Sequence, residues 1–505
     1  MNHRKLAKLD HQYLWHPFTQ MRDWLKREPI VIVEGHGAVL RDDRGREYLD
    51  ANSSIWTNLH GHQHPKLNAA LKFQLGKIAH SSALGLASEP ASLLGARLIK
   101  AANPQFLTGD GRTRAVPVRR DLAKVFFSDN GSTAVEVALK LAYEFARRTG
   151  RSPKPRFLSL SGAYHGDTVG AVALGHIDLF HAAYSGLLFR TDKVMAPYCY
   201  RCPFNRAKPD RADGRIYRHC DRECLDLVSA KFESQKKRKN PYAGFVFEPL
   251  MQGAAGMIAQ PEGWLAQAVE IARTHGALLI ADEVMTGFGR TGNGLADAPD
   301  REVGGKGSRP SLRLRRDEVK CRLFASHKEG VRPDFLAVAK GLTGGYLPMA
   351  ATLTTQTVFD AFLGEYSEFK TFFHGHSFTA NQLGAAASLA SLDLLQAPRA
   401  VQRRCQLEQK FSDELDALWS CPWVGDIRQV GLVAGIELVK NWCTREPFPV
   451  EQRVGIRVCE AMAKRGVLTR PVGNVIVLIP PFCTTDHQLA KMVQTVRTAV
   501  DSLKL

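Results

Sequence analysis

The sequence predicts an α/β protein in which a large domain, built on a mostly parallel sheet with covering helices, is joined to a smaller α/β domain. Between about residues 120 and 350, short apolar runs alternate with loops and stretches of helical periodicity, the pattern of strands buried on both faces. The last hundred or so residues return to mixed helix and strand on a smaller scale. A chain of 505 residues also exceeds what one compact core ordinarily fills, so a second domain is expected.

Taken in order, residues 124–127, 156–160, 244–247, 277–281 and 335–339 read as buried strands of the large domain, and 435–439 and 475–479 as strands of the smaller one. Residues 1–80 are assigned to the smaller domain as its N-terminal segment, 81–395 to the large domain, and 396–505 to the remainder of the smaller one. Stretches near 108–121 and 295–321 read as exposed insertions between core elements. In open sheets of this kind ligands gather beyond the carboxyl ends of the strands, which directs attention to the residues just after each run.

Composition removes several classes of function. The chain is 44% hydrophobic and 23% charged, and no apolar run approaches the roughly 20 residues that span a bilayer. The first ten residues carry Arg4, Lys5 and Lys8 without an apolar stretch, so no secretory signal is expected and a cytoplasmic place is. Ten dispersed cysteines then read as reduced thiols. Cys199, Cys202, Cys220 and Cys224 have spacing similar to a zinc knuckle, but without a histidine partner they read as free thiols and no metal is expected. The net charge of +18 is concentrated in 112–120, 236–239 and 301–332, none of which has the interleaved aromatics or motifs of a nucleic-acid surface. A solvated basic surface is the expectation.

Three segments carry chemistry. The run 124–127 leads into Ser128-Asp129-Asn130-Gly131-Ser132-Thr133 and then a helix, so unpaired N–H groups and the dipole favour a phosphate there, with the Ser132 and Thr133 hydroxyls adding bonds. Small polar residues also cap helices, so this loop alone decides little. Asp282 and Glu283 follow a second buried run, where an acid pair also suits a metal or a cap. Lys340 follows a third, before Gly341-Leu342-Thr343-Gly344-Gly345. A desolvated lysine beside an anion-holding helix start and an acid is the set that a phosphate-bearing aldehyde cofactor requires.

These segments, with Phe126 to Lys140, Ala281 to Gly292, Ala339 to Gly345 and Phe373-His374-Gly375-His376-Ser377-Phe378, resemble in order the motifs of the class III aminotransferases, pyridoxal-phosphate (PLP) enzymes of fold type I. The resemblance implies that Lys340 bonds covalently to PLP and transfers protons, that Asp282 pairs with the ring nitrogen, and that Tyr164 stacks on the ring. It implies further that Gly131 and Ser132 hold the phosphate, and that His376 and Ser377 reach the phosphate at a homodimer interface.

Leu14 to Met21, Ser53-Ser54-Ile55-Trp56 and Thr469 to Gly473 resemble the branch of that family that aminates 8-amino-7-oxononanoate in biotin synthesis. That branch places Phe18, Trp56, Tyr164 and Gly375 around the substrate and Arg470 on its carboxylate, a pairing suited to two parallel hydrogen bonds. Members using S-adenosylmethionine as amino donor carry a tyrosine where Phe18 stands and a tryptophan where Ile55 stands. The substitutions, with Gly375-His376-Ser377, resemble a subgroup that uses lysine as donor. Two alternatives stay open here: another ω-amino-acid aminotransferase or aminomutase, and a non-catalytic basic protein binding nucleic acid or other anions on the same scaffold.

Overall fold

The structure is a computed structural model that describes residues 2–103, 121–292 and 322–502. The insertions expected near 108–121 and 295–321 lie outside the described residues except for Asp121, as do the basic residues 112–120 and 301–321.

The centre is a seven-stranded sheet, in spatial order Leu122–Ser128, Ala350–Thr355, Phe335–Val338, Leu278–Asp282, Tyr242–Phe247, Arg156–Leu160 and Asp192–Val194. Ala350–Thr355 runs antiparallel to both neighbours and every other pairing is parallel. All five runs expected in the large domain are strands, with ends displaced by one or two residues. Neither Ala350–Thr355 nor Asp192–Val194 was among the expected strands, the first because its threonines break the apolar run. Inside the sheet those hydroxyls are satisfied, Thr352 donating to the Ala134 carbonyl at 2.7 Å and Thr354 to the Asp334 carbonyl at 3.1 Å.

Alternate residues of the same strands feed two cores. Phe245, Phe247, Leu279, Ala281, Leu336 and Val338 pack on one face, while Val246, Leu278, Ile280, Phe335 and Ala337 pack on the other. This double burial is why the strands read as continuous apolar runs. Helix Gly131–Arg148 covers the second face with Ala134, Val135, Ala138, Leu139, Ala142 and Phe145, and its last turn carries Arg147 and Arg148 against the negative end of the dipole.

The chain's two ends meet. Strands Ile32–His36, Val39–Asp42 and Glu47–Asp50 form a sheet completed by Val467–Leu468, with Leu49 opposite Val467. A second, five-stranded sheet comprises Val424–Val430, Val433–Asn441, Val475–Leu478 and Pro471–Val472 in that order, with Glu446–Pro447 paired to Val433–Asn441. Buried Arg428 ties it to the loop at Gly256 and Met257, donating to both carbonyls while pairing with Asp426 at 2.8 Å and Glu437 at 2.6 Å. The four cysteines singled out above line one small cavity with Arg218 and Arg222. Among the described residues no group of three or more His, Cys, Asp or Glu is arranged to hold a metal ion, and no helix is long and apolar enough to cross a membrane.

Arg428→Ala leaves Asp426 buried without its cation and Glu437 with Arg201 alone, and burial already pushes the Asp426 pKa up to about 6 despite Arg428. We expect a loss of roughly 3–5 kcal/mol of stability. Thermal and urea unfolding of the two proteins measure it, and coincident curves would contradict the assignment.

Candidate active site

Parallel register sets the centre of the site. Asp282 ends its strand opposite Ala337 of the neighbouring strand, and Lys340 follows that neighbour's end by two residues, so both emerge at the carboxyl edge of the sheet. Glu283, one residue on, turns away. Its carboxylate accepts from Ala325 N at 2.6 Å, Ser326 N at 2.8 Å and Ser326 Oγ at 2.6 Å. Burial raises the Glu283 pKa to about 7 against those bonds. The acid pair is thereby divided, Glu283 tying down a backbone turn and Asp282 remaining in the site.

Asp282 Oδ1 accepts from Val284 N at 3.0 Å, and Oδ2 lies 2.7 Å from Nδ1 of fully buried His165. Burial alone would lower the His165 pKa, but the hydrogen bond and charge of Asp282, with Glu248 adding, leave it raised. His165 thereby sets its Nδ1 against Asp282 and fixes the position of that carboxylate. Glu248, just beyond strand Tyr242–Phe247, accepts from Tyr164 N at 3.3 Å and from Gly253 N at 2.9 Å. Burial pushes its pKa to about 7, opposed by His165 and reinforced by Asp282. Sequence reasoning missed both residues. The available signals were the position of His165 directly after Tyr164 and that of Glu248 directly after a buried strand.

Lys340 has a left-handed backbone, φ 46°, and its Nζ lies 4.6 Å from the centre of the Trp56 ring. Burial lowers its pKa to about 8, against the pull of Asp282 and Glu248 and with the help of Arg290. Arg290, also missed from sequence, is fully buried and donates to Pro480 O at 2.8 Å and Asn58 O at 3.2 Å. It holds the chain's early and late segments together beside the lysine.

At the start of helix Gly131–Arg148, Asn130 Oδ1 accepts from Thr133 N at 3.1 Å and Thr133 Oγ1 accepts from Asn130 N at 3.0 Å. The Thr133 hydroxyl is a cap here, a correction to its expected place on a phosphate. The N–H groups of Gly131 and Ser132 stand at the helix start, where no intrahelical acceptor exists. A Cβ at Gly131 would lie 2.6 Å from Val284 Cγ1, so the absence of a side chain lets this loop close on the strand that carries Asp282. Ser132 Oγ accepts from Asp167 N at 3.1 Å, which joins the loop to the segment bearing Tyr164.

Tyr164 is half-buried and donates to Asp167 Oδ2 at 2.6 Å; burial first, and Asp167 second, raise its pKa. Its ring meets Phe180 edge-on at 6.4 Å, and Phe180 meets Phe18 edge-on at 5.3 Å. Exposed Arg470 donates to the Phe18 carbonyl at 3.4 Å. Phe18, Tyr164 and Arg470 thus come together, with Phe180 as a link that sequence reasoning did not name. His376 Nδ1 pairs with Asp129 Oδ2 at 3.0 Å, just before the start of helix Gly131–Arg148, whereas Gly375 and Ser377 are exposed.

The class III aminotransferase family model matches residues 21–304 and 317–500 of this chain. The adenosylmethionine-8-amino-7-oxononanoate aminotransferase of Geobacter sulfurreducens is 44% identical over 498 residues, 99% of this chain and 98% of that protein. The crystal structure of the enzyme of the same name from Methanocaldococcus jannaschii has a TM-score of 0.82 at 34% identity, covering 100% of both chains. A PLP-bound amine transaminase from an uncultivated Pseudomonas species has a TM-score of 0.80 at 28% identity, covering 97% of this chain and 98% of that one.

Because only a neutral amine is nucleophilic, acylation of Lys340 in the cofactor-free protein should rise with pH through a midpoint of about 8. Peptide mass spectrometry across a pH series reads it. A midpoint at the value of an exposed lysine would contradict the desolvated setting.

Proposed function

The chain belongs to the class III aminotransferases, which work with PLP, and we propose that it transfers an amino group to 8-amino-7-oxononanoate, forming 7,8-diaminononanoate for biotin synthesis. The residues present fit the cofactor. A helix start with outward N–H groups suits its phosphate, an anion backed by a buried histidine suits its ring nitrogen, and a lysine with a pKa of about 8 suits its aldehyde. When bound, PLP supplies a carbonyl that takes up an amino group and a protonated ring that withdraws electrons from the substrate carbon.

The chain's own groups then divide the work. The Gly131 and Ser132 N–H groups orient the phosphate. Asp282, held by His165, would face the ring nitrogen, and Tyr164 would cover the ring face. Lys340 Nζ, whose pKa of about 8 leaves a minor neutral fraction near neutral pH, would move the proton at the substrate carbon in both halves of the exchange. Trp56 and Phe18 exclude water along the substrate's alkyl chain.

The observation that carries the substrate reading is Arg470 at the Phe18 carbonyl: a guanidinium at the end of an aromatic wall suits a long apolar acid. Arg470→Met should raise KM for the oxo acid roughly 10- to 100-fold, the worth of a charge-assisted hydrogen-bonded pair. An unchanged KM in steady-state assays would reject it.

A second reading concerns the donor, because the Phe18 ring has no hydroxyl to orient an adenosyl group and Ile55 offers no flat face. We infer that L-lysine is a competent donor beside S-adenosylmethionine. Mixing the yellow PLP form with lysine, S-adenosylmethionine or alanine tests this directly. Bleaching by lysine is expected, and bleaching by S-adenosylmethionine alone would overturn it.

We also infer a cytoplasmic homodimer in which His376 and Ser377 serve the cofactor site, and Gly375 the substrate, at the interface between the two copies. The exposure of Gly375 and Ser377 on a single chain and the free thiols of all described cysteines support that reading.

A further inference from the structure

Ser53, Ser54, Ile55 and Trp56 all stand at positive φ, at 45°, 48°, 63° and 68°. Four consecutive residues with side chains in that region make a left-handed helical turn, which the Cβ of each L residue opposes. Such a conformation persists only where its surroundings over-determine it.

Here the surroundings do so. Asp50 Oδ1 accepts from Ser54 N at 2.9 Å, and Oδ2 accepts from Ser54 Oγ at 2.7 Å. Ser53 Oγ donates to the Ile479 carbonyl at 2.6 Å. Asn52 Oδ1 accepts from Trp56 Nε1 at 2.9 Å, while Trp56 N donates to Asn52 O at 2.8 Å. Asp50 is itself fixed, since it ends strand Glu47–Asp50, is 3% exposed, and has Oδ2 3.2 Å from His62 Nε2.

The left-handed path decides where Trp56 goes. Its indole rests on Gly253, where a Cβ would lie 3.1 Å from Cζ3, and its ring centre is 4.6 Å from Lys340 Nζ. It packs against the buried cluster that contains Met251 and Met285. A right-handed turn from Asn52 would carry the indole to another side of the chain and leave the amine uncovered.

We propose that Asp50 is a positioning residue for the reaction: by gripping Ser54 with both carboxylate oxygens, it holds the left-handed turn that seats the Trp56 indole over Lys340 Nζ. The inference rests on Lys340 being the reactive amine and is independent of which oxo acid or donor the enzyme takes.

The test is a double-mutant cycle on the cofactor-free full chain, reading the acylation rate of Lys340 by peptide mass spectrometry. Asp50→Asn keeps the size and one acceptor but loses the second, and Trp56→Ala removes the cover. Each should speed labelling about fivefold, and the double variant should be no faster than Trp56→Ala alone, because both changes remove the same contact. Effects that multiply, or an Asp50→Asn protein that labels at the wild-type rate, would overturn the proposal. A purely structural role for Asp50 would lower the thermal midpoint yet leave the two effects independent. If Asp50→Asn does not fold, Ser54→Ala, which removes only the hydroxyl facing Asp50 Oδ2, enters the cycle with the same two outcomes. Loss of the biotin-pathway activity with this cycle intact would count against the substrate reading alone.

Discussion

The parallel pairing of Leu278–Asp282 with Phe335–Val338 is the constraint on which the site depends. It brings an anion and an amine out of adjacent strands at one edge of a sheet whose two faces are both buried. At that edge the strand dipoles are small, so charge balance is set by side chains, and burial makes each of those choices consequential. Glu248 and Lys340 are both carried toward neutrality by desolvation, while Asp282 is fixed by its contact with His165. A site whose groups sit near their titration points can pass protons with little cost, which is what amino-group transfer asks of it.

Around that edge the chain supplies walls from distant parts of its length. The left-handed turn at 53–56 comes from the N-terminal segment, the Phe180 link from the middle, and Arg470 from near the C-terminus. Arg290 reaches the carbonyls of both Asn58 and Pro480, so one buried guanidinium fixes the two ends of the chain relative to Lys340. Arg428 does a similar thing further out, joining the sheet that contains Val433–Asn441 to the loop at Gly256 and Met257. Both are cations placed where backbone carbonyls from separate segments need donors, and removing either would leave those acceptors buried and unsatisfied.

Much of the central sheet was legible in the sequence because double burial leaves an unambiguous trace: an apolar run with no polar face. Lys340, Asp282 and Gly131 were legible for a related reason, since each sits at a fixed offset from such a run. Ala350–Thr355 was not, because threonines that bond to neighbouring carbonyls inside a sheet look the same in sequence as threonines in water. Thr133 was misassigned to the phosphate for the same kind of reason: a hydroxyl one residue past Ser132 serves a cap or a ligand according to where its loop turns.

What the sequence determined by itself was the order of the strands, the residues at their ends, and the chemistry those residues share. Local pattern is sufficient for that, because burial and chain direction are written within a few residues of each position. Only the tertiary structure decided that Glu283 is spent on a backbone turn, that His165 and Glu248 stand behind Asp282, and that Trp56 lies over the lysine. Each of those depends on partners tens or hundreds of residues away. For Trp56 it depends also on a backbone of the opposite hand, which no side-chain pattern records and which Asp50 sustains only once the fold has brought the parts together.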